Sequence, residues 1–466
     1  MITTQQQGLH VLLLNALQQA KKNNHAVLVS TVKKVAWIDP LLFYAAAAKI
    51  GMTERFYWSD PEQRVTLAGA GSAYIITNHH HNRFEESQNE WEKLLETGLI
   101  DGGSYSFGTG PLAFGGFSFD PMKQKTMLWE AFADALLLVP AFMLTIKEDG
   151  AWLTINSLVS HKDSVSDLHE KLEILEAKLM SASKQPLQET DTSINIEHEV
   201  DPVEWMKAVK QATHEMEQGL YQKVVLAREL QLTLSKEVDS ANVLQVLRIS
   251  QSDCYVFSFD YNKCCFIGAT PERLIKKEED VLTSMCLAGT IGRGHTPEED
   301  NLHAQMLLND EKNLKEHGFV VEMIRTVMKQ FCKEVSIPDE PGLKEMKNVL
   351  HLYTPVKGIV KEGKSLLSIA ERMHPTPALG GTPTSVALER IRELEQLDRG
   401  WYAAPIGWVD YQGNGEFAVG IRSALMKGRQ ASLFAGCGVV KDSDPEAEYE
   451  ETRIKFKPML TAFGGF

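Results

Sequence analysis

Residues 435–456 read AGCGVVKDSDPEAEYEETRIKF: a glycine-containing run, then six carboxylates in the ten positions from Asp442 to Glu451. Ordinary helix chemistry explains part of this. Asp and Glu favour a first helical turn, and Ser443 or Asp444 can cap it. A solvated helix start is the plain reading of a charge run without context. If the helix extends from Asp444 to Phe456, however, Glu448, Glu451, Thr452 and Lys455 stand at i, i+3, i+4 and i+7 and share one face. Magnesium suits such a face, because it takes hard oxygen ligands and is often held by one or two carboxylates plus substrate and water. The preceding AGCG, read as a turn, can offer backbone N–H groups to an anion.

The rest of the chain sets the context. Its 466 residues exceed one small core, so one large domain or two lobes is expected. Lys and Arg number 48 against 62 Asp and Glu, a net charge of −14. That balance argues against broad binding to nucleic acid or an anionic membrane, while leaving room for a local basic pocket. Cysteines 254, 264, 265, 286, 332 and 437 form no CxxC pair, as expected of a reduced, cytoplasmic protein without disulfides. The N-terminus, MITTQQQGLHVLLLNALQQAKKNN, lacks a basic n-region and a cleavage site. The apolar run Ala135 to Ile146 is too short to span a bilayer.

One boundary signal stands out. SKQPLQETDTSINIEHEVDP, residues 183–202, is polar and poor in large apolar side chains. It divides an N-terminal part, 1–200, that completes the layers from a catalytic region, 201–466. A helix follows, with Asp201 as cap, Pro202 at its first position, Glu204 reaching back, and Gly219 at its end. Its apolar face is predicted as Val203, Met206, Val209, Ala212 and Met216. Strands are predicted at KVVLARELQLTL and at CYVFSFDYNKCCFIGATPERLIKK, a hairpin turning at Asp260 to Lys263, and then at VLTSMCLAGTIGRG. One long helix is expected from about Glu298 to Cys332, and alternating strands and helices fill the final third. The fold class is mixed α/β (α+β), mostly antiparallel sheet packed with helices. A second source of carboxylates is NDEKNLKEHGFVVE, where Glu316 and His317 precede an apolar stretch; alone, it reads as an exposed helix face with Glu/Lys pairs.

Taken together, KVVLARE, GATPERL, CLAGTIGRG, DEKNLKEH, NVLHLYTPVKG, HPTPALGG, RGWYAAPIGW, GIRSAL and AGCGVVKDSDPEAEYEET resemble, in their order, the chorismate-utilising enzymes. This family includes anthranilate, aminodeoxychorismate, salicylate and isochorismate synthases. The resemblance runs from about Pro202 to the C-terminus. It implies Glu316 and Glu451 as magnesium ligands, with Glu448 supporting the metal from behind. It implies that Arg422, Tyr402, Lys455, and the backbone at Gly436 contact the substrate, with Gly289 and Thr290 near its carboxylate and His351 as an active-site histidine. Arg422 suits the task, since a planar guanidinium can grip a carboxylate with two hydrogen bonds.

Two positions imply that water is the nucleophile. Family members that add ammonia carry glutamine where this chain has Lys223, and aminodeoxychorismate synthases carry a nucleophilic lysine where it has Ala288. The resemblance then implies Lys223 as general base and Glu272 as general acid, in a conversion of chorismate to isochorismate. That role requires a partly neutral Lys223, favoured by burial, and a protonated Glu272. Ala378 and Leu379, in HPTPALGG, resemble isochorismate synthases rather than salicylate synthases, which carry threonine at the first position. The tryptophan-inhibition motif of anthranilate synthases is absent; FYWSDPE stands in that area. The implied pathway is menaquinone synthesis, with siderophore synthesis and salicylate synthase as alternatives and a metabolite-binding protein as the non-enzyme alternative. The expected enzyme is a monomer without an amidotransferase subunit.

Overall fold

The computed structural model describes residues 8–101, 106–188, 192–346 and 349–465. The first seven residues, 189–191 in the polar boundary stretch, and Asn348 in NVLHLYTPVKG lie outside the described residues.

The architecture turns on two long strands. Val65–Asn78 pairs antiparallel with Ala135–Lys147 along nearly its whole length. The opposite edge of Ala135–Lys147 is shared by Leu112–Phe117 near its start and Gly150–Val159 near its end, so the sheet forks. One branch continues from Val65–Asn78 through Arg55–Ser59, Tyr255–Tyr261, Cys264–Thr270, Ser423–Lys427 and Gln430–Val439 to Lys223–Leu234. The other runs from Leu112–Phe117 through Pro405–Asp410, Gly415–Val419, Arg273–Glu278 and Val281–Gly292 to Val349–Val360. Among the described residues the pairings are antiparallel except that of Val27–Val35 with Leu99–Asp101. Strands from before residue 200 therefore hydrogen-bond directly to strands after it, as in Arg55–Ser59 with Tyr255–Tyr261.

The larger core draws on both branches. Trp58, Phe114, Phe257, Ile275, Trp401 and Trp408 are buried within one apolar cluster. Each such side chain contributes about 2–3 kcal/mol relative to an exposed one. Near-continuous apolar runs buried on both faces make Lys223–Leu234 and Cys264–Thr270 strands, as the sequence predicts. The predicted hairpin turns at Asn262 and Lys263, both at positive φ, the geometry of a tight two-residue connection.

Three local expectations change. The single helix from Glu298 to Cys332 is two helices, Pro297–Asn309 and Glu311–Phe331. Asp310 breaks it: its extended backbone ends the first helix while its carboxylate accepts from Asn313 N–H and caps the second. Asp201 is left-handed (φ 44°) and makes no side-chain cap, and Glu204 pairs with Lys207 instead of reaching back. The buried face of Pro202–Glu217 is Trp205, Ala208, Val209, Ala212 and Met216, with Val203 58% exposed. Periodicity places Val203 one position out of phase with that stripe, which Trp205 fills instead.

Candidate active site

Lys223 opens its strand, flanked by Thr382 on one edge, while Val224 beside it faces Val439 on the other. It is 4% exposed, and its Nζ lies 3.4 Å from Glu316 Oε2. Two glycines make room for it. A Cβ at Gly438 would stand 2.8 Å from Lys223 Cε, and one at Gly381 (φ 139°) only 2.2 Å from the Lys223 carbonyl oxygen. Glu272, 8% exposed, sits at the head of Arg273–Glu278. Burial pushes its carboxyl up to about 7, against the opposing positive charge of Lys223. The Cys286 thiol, buried in the field of both groups, is pushed well above its ordinary range.

Glu316 comes from the helix Glu311–Phe331, and its neighbour His317 fixes that helix against two strands. His317 Nδ1 lies 3.1 Å from the Ala288 carbonyl and Nε2 2.7 Å from Thr354 Oγ1. The ring thus donates to the carbonyl and accepts from the hydroxyl, and burial lowers its pKa. Ala288 precedes Gly289 (φ 84°) and Thr290, whose Oγ1 is 2.8 Å from His351 Nδ1. His351 is 8% exposed, and burial, reinforced by the Arg422 and Lys455 charges, lowers it to about 4, so the ring is neutral near pH 7.

Facing these groups is a set of cations. Among the described residues the Arg422 guanidinium has no hydrogen-bond or ion-pair partner, and its enclosure lowers its pKa. Lys455 Nζ donates to the Gly436 carbonyl at 2.9 Å and pairs with Glu451 at 2.6 Å. Buried Tyr402 points its hydroxyl at Gly436, where a Cβ would stand 3.2 Å away, and burial raises its pKa. The run AGCG is not a turn: it lies inside the strand Gln430–Val439, Gly436 opposite Ala227. Its glycines therefore admit Tyr402 and the Lys223 stem from within a strand, not from a turn.

The helix after it is Pro445–Ala462, capped by Asp444, whose carboxylate accepts from Ala447 N–H at 2.9 Å. Glu448 and Thr452 are buried, while Glu451 is 51% exposed. Among the described residues no three His, Cys, Asp or Glu side chains converge to hold a metal. Glu316 is turned to Lys223 and Glu451 to Lys455, so two ammonium groups neutralise the carboxylates a cation would meet. Glu448 accepts from Ser443 at 2.7 Å through Oε1, its buried Oε2 has no N–H or O–H donor and only the Cys437 thiol close by, and burial raises its pKa. A buried carboxylate oxygen without an N–H or O–H donor, three residues before Glu451 on the same helix, fits a hard cation such as magnesium. Leu379 lies in the apolar core with half-buried Ala378 against it. A cavity of about 370 Å³ elsewhere, lined by Arg55, Asp239, Ser240 and Asp260, holds none of these residues, and its polar groups satisfy one another.

Several participants escaped sequence reading. Gly381 and Gly438 make room for Lys223 through what they leave out, and Lys344, which adds positive charge near His351, comes from an unremarked strand. Glycines at the ends of strand-like runs were the available signal for the first two.

Comparison with known proteins places this geometry. A family model described as chorismate binding enzyme matches residues 15–464. The chain is 43% identical to isochorismate synthase MenF of Bacillus subtilis, over 100% of this chain and 99% of that one. It is 35% identical to the salicylate biosynthesis isochorismate synthase of Pseudomonas aeruginosa, over 97% and 94% of the two chains. The solved structure of MenF, the menaquinone-specific isochorismate synthase from Escherichia coli, superposes with a TM-score of 0.78 at 23% identity, covering 98% of this chain and 100% of the other. With its forked antiparallel sheet, paired helices and family-model match over nearly its whole length, the chain belongs to the chorismate binding enzyme family.

Proposed function

We propose that this chain is an isochorismate synthase, converting chorismate to isochorismate with magnesium, in menaquinone synthesis. One observation carries the reading: a buried carboxyl, Glu272, held at about 7 shares its enclosure with a buried lysine, Lys223. A base for the entering water and an acid for the leaving hydroxyl, within one another's field, are what hydroxyl exchange across a ring requires.

In the form that reacts, Lys223 has passed on the proton it holds beside Glu316, and the neutral amine takes a proton from water as the oxygen attacks C2. The ring double bonds shift, and Glu272 gives its proton to the C4 hydroxyl, which leaves as water. One water enters and one departs, so the product is an isomer; proton return from Lys223 to Glu272 resets the pair. Arg422, Lys455, Tyr402, the backbone at Gly436, and Gly289 with Thr290 hold the substrate carboxylates. Neutral His351, anchored on Thr290, adds a hydrogen bond without adding charge. Magnesium, when bound by Glu316 and Glu451 with Glu448 behind, supplies positive charge to a substrate carboxylate. Ala378 and Leu379 shape the far side of the ring, and the reaction stops at isochorismate.

The full-length match to a relative named MenF, a name that a solved structure couples to menaquinone specificity, supports the menaquinone assignment; the vibriobactin-specific isochorismate synthase of Vibrio cholerae aligns over 52% of this chain. Lysine at position 223 supports water as nucleophile, hence no amidotransferase subunit, and a monomer is the proposed state. No described helix is long and apolar enough to cross a membrane. The test is product analysis by chromatography after incubation with chorismate and magnesium. Isochorismate without salicylate, lost on chelation and reduced at least about a hundredfold in Lys223→Ala, is expected. Salicylate with pyruvate would replace this reading by salicylate synthase, and full activity in Lys223→Ala would remove the base.

A further inference from the structure

The strand that begins at Lys223 has an incomplete edge. Along one side, residues 224–233 are paired continuously with Gln430–Val439. On the other, only Lys223 and Val224 meet Thr382 and Gly381, and pairing resumes at Leu230 with Ile194–Glu199. Between the two lies a gap in which the backbone groups of Val225 and Ala227 face no strand.

Two side chains fill it. Arg399 donates from Nη2 to the Val225 carbonyl at 2.7 Å, and Glu395 Oε1 accepts from Ala227 N–H at 2.7 Å. Arg399 and Glu395 are joined by a two-pronged ion pair, Nε to Oε2 at 2.9 Å and Nη2 to Oε1, with 3% and 2% of their side chains exposed. The remaining fork of Arg399, Nη1, donates to the Leu379 carbonyl at 3.1 Å, and the guanidinium lies over the Phe119 ring at 4.2 Å. Val225 N–H bonds in turn to the Gly380 carbonyl at 2.9 Å. The pair thus ties three things together: the strand carrying Lys223, the loop carrying Ala378 and Leu379, and the helix end at Glu395.

A buried ion pair is weak support for stability, because desolvation offsets its attraction. Its expense is better explained by geometry. Each prong satisfies a backbone group that a further strand would have satisfied, in the gap that opens two residues beyond Lys223. We propose that Glu395 and Arg399 are positioning residues that set Lys223 against the Ala378–Leu379 loop. This rests on the reading of Lys223 as base.

The test is kinetic, on Arg399→Lys, Glu395→Gln and the double variant Glu395→Met/Arg399→Met. Lysine keeps the charge but cannot span Glu395, Val225 and Leu379 at once. The double variant leaves no unpaired buried charge and supplies a folded comparison if a single variant fails to fold. Rates are taken per folded enzyme. The expected result is a fall in kcat of about tenfold to a hundredfold in Arg399→Lys, with KM for chorismate changed less than about threefold, since a shift of about 1 Å in a reacting group has that scale of effect. The same substitution made in Lys223→Ala should lower the residual rate by less than about twofold, because groups acting as a unit are not additive. A kcat within about twofold of the parent in every folded variant overturns the proposal. So does an equal loss with and without Lys223, which marks a merely structural brace. If Lys223→Ala itself keeps full activity, the reading of the base fails first, and this proposal with it.

Discussion

Replacing Glu272 by glutamine tests the acid through stability as well as rate. In the folded chain burial pushes this carboxyl up to about 7, and Lys223 pulls against the shift. Cys286, the other titratable neighbour in its field, stays protonated throughout. An unfolded glutamate titrates at about 4.3, so the gap of roughly 2.5 units is worth about 3 kcal/mol. The sign follows from proton counting. Between about 4.3 and 7 the folded state binds more protons than the unfolded state. The stability this site contributes is therefore fully present below about 4.3 and is lost as pH rises through about 7. Glutamine has the same shape and does not titrate. The difference in unfolding free energy, parent minus Glu272→Gln, should fall by about 2–3 kcal/mol between pH 5 and 8.5, measured by urea denaturation of metal-free protein at fixed ionic strength. The variant should lose at least about a hundredfold in kcat. A difference flat to about 0.5 kcal/mol across that range would refute the argument, because a carboxyl at its ordinary value would contribute no slope.

Two further substitutions probe the support around the site. Gly438→Ala should lower kcat about tenfold with a melting temperature within a few degrees of the parent, because its Cβ, 2.8 Å from Lys223 Cε, displaces only the end of a flexible side chain; unchanged turnover would show that the lysine need not lie over this glycine. Arg228→Met should destabilise by about 2–3 kcal/mol in urea, since Arg228 bonds Thr452 at 2.7 Å and Glu199 at 2.8 Å while stacked on Tyr449 at 4.1 Å; a loss below about 0.5 kcal/mol would mean that the helix Pro445–Ala462 is held without it.

Strand positions were readable because their apolar runs match burial on both faces: KVVLARELQLTL is the strand Lys223–Leu234 without adjustment. The break at Asp310 was not read, although the signal was local. An aspartate before Glu-Lys-Asn is an N-cap candidate, but helical residues on both sides conceal a one-residue interruption. AGCG misled in the opposite way. Glycine reads as a turn when a chain is considered alone, and here it marks close approach across a sheet: Tyr402 and Lys223 come from strands and loops distant in sequence. The same distance hides Glu395 and Arg399, whose partners Ala227, Val225 and Leu379 come from two other segments. The i, i+4 spacing of that pair alone would have suggested only a surface salt bridge.

The acidic stretch itself shows why charge patterning could not separate its members. Asp444 caps, Glu450 pairs with Arg453 in solvent, Glu451 pairs with Lys455, and Glu448 is buried with one oxygen lacking an N–H or O–H donor. All four are acids within eight residues of one helix start, and their difference lies in what the sheet beneath them presents. Gly436 offers a carbonyl to Lys455, and the sheet face places Cys437 beside Glu448. A chain of net charge −14 can hold a dianion only where cations such as Arg422, Lys455 and Lys344 are gathered and the carboxylates around them occupied or neutral. Burial shifts Glu272 and Glu448 toward the neutral form and Glu316 and Glu451 are paired, so burial and pairing rather than composition move the site toward that condition. The electrostatics that suit an anionic substrate therefore belong to the fold, although the residues that supply them are plain in the sequence.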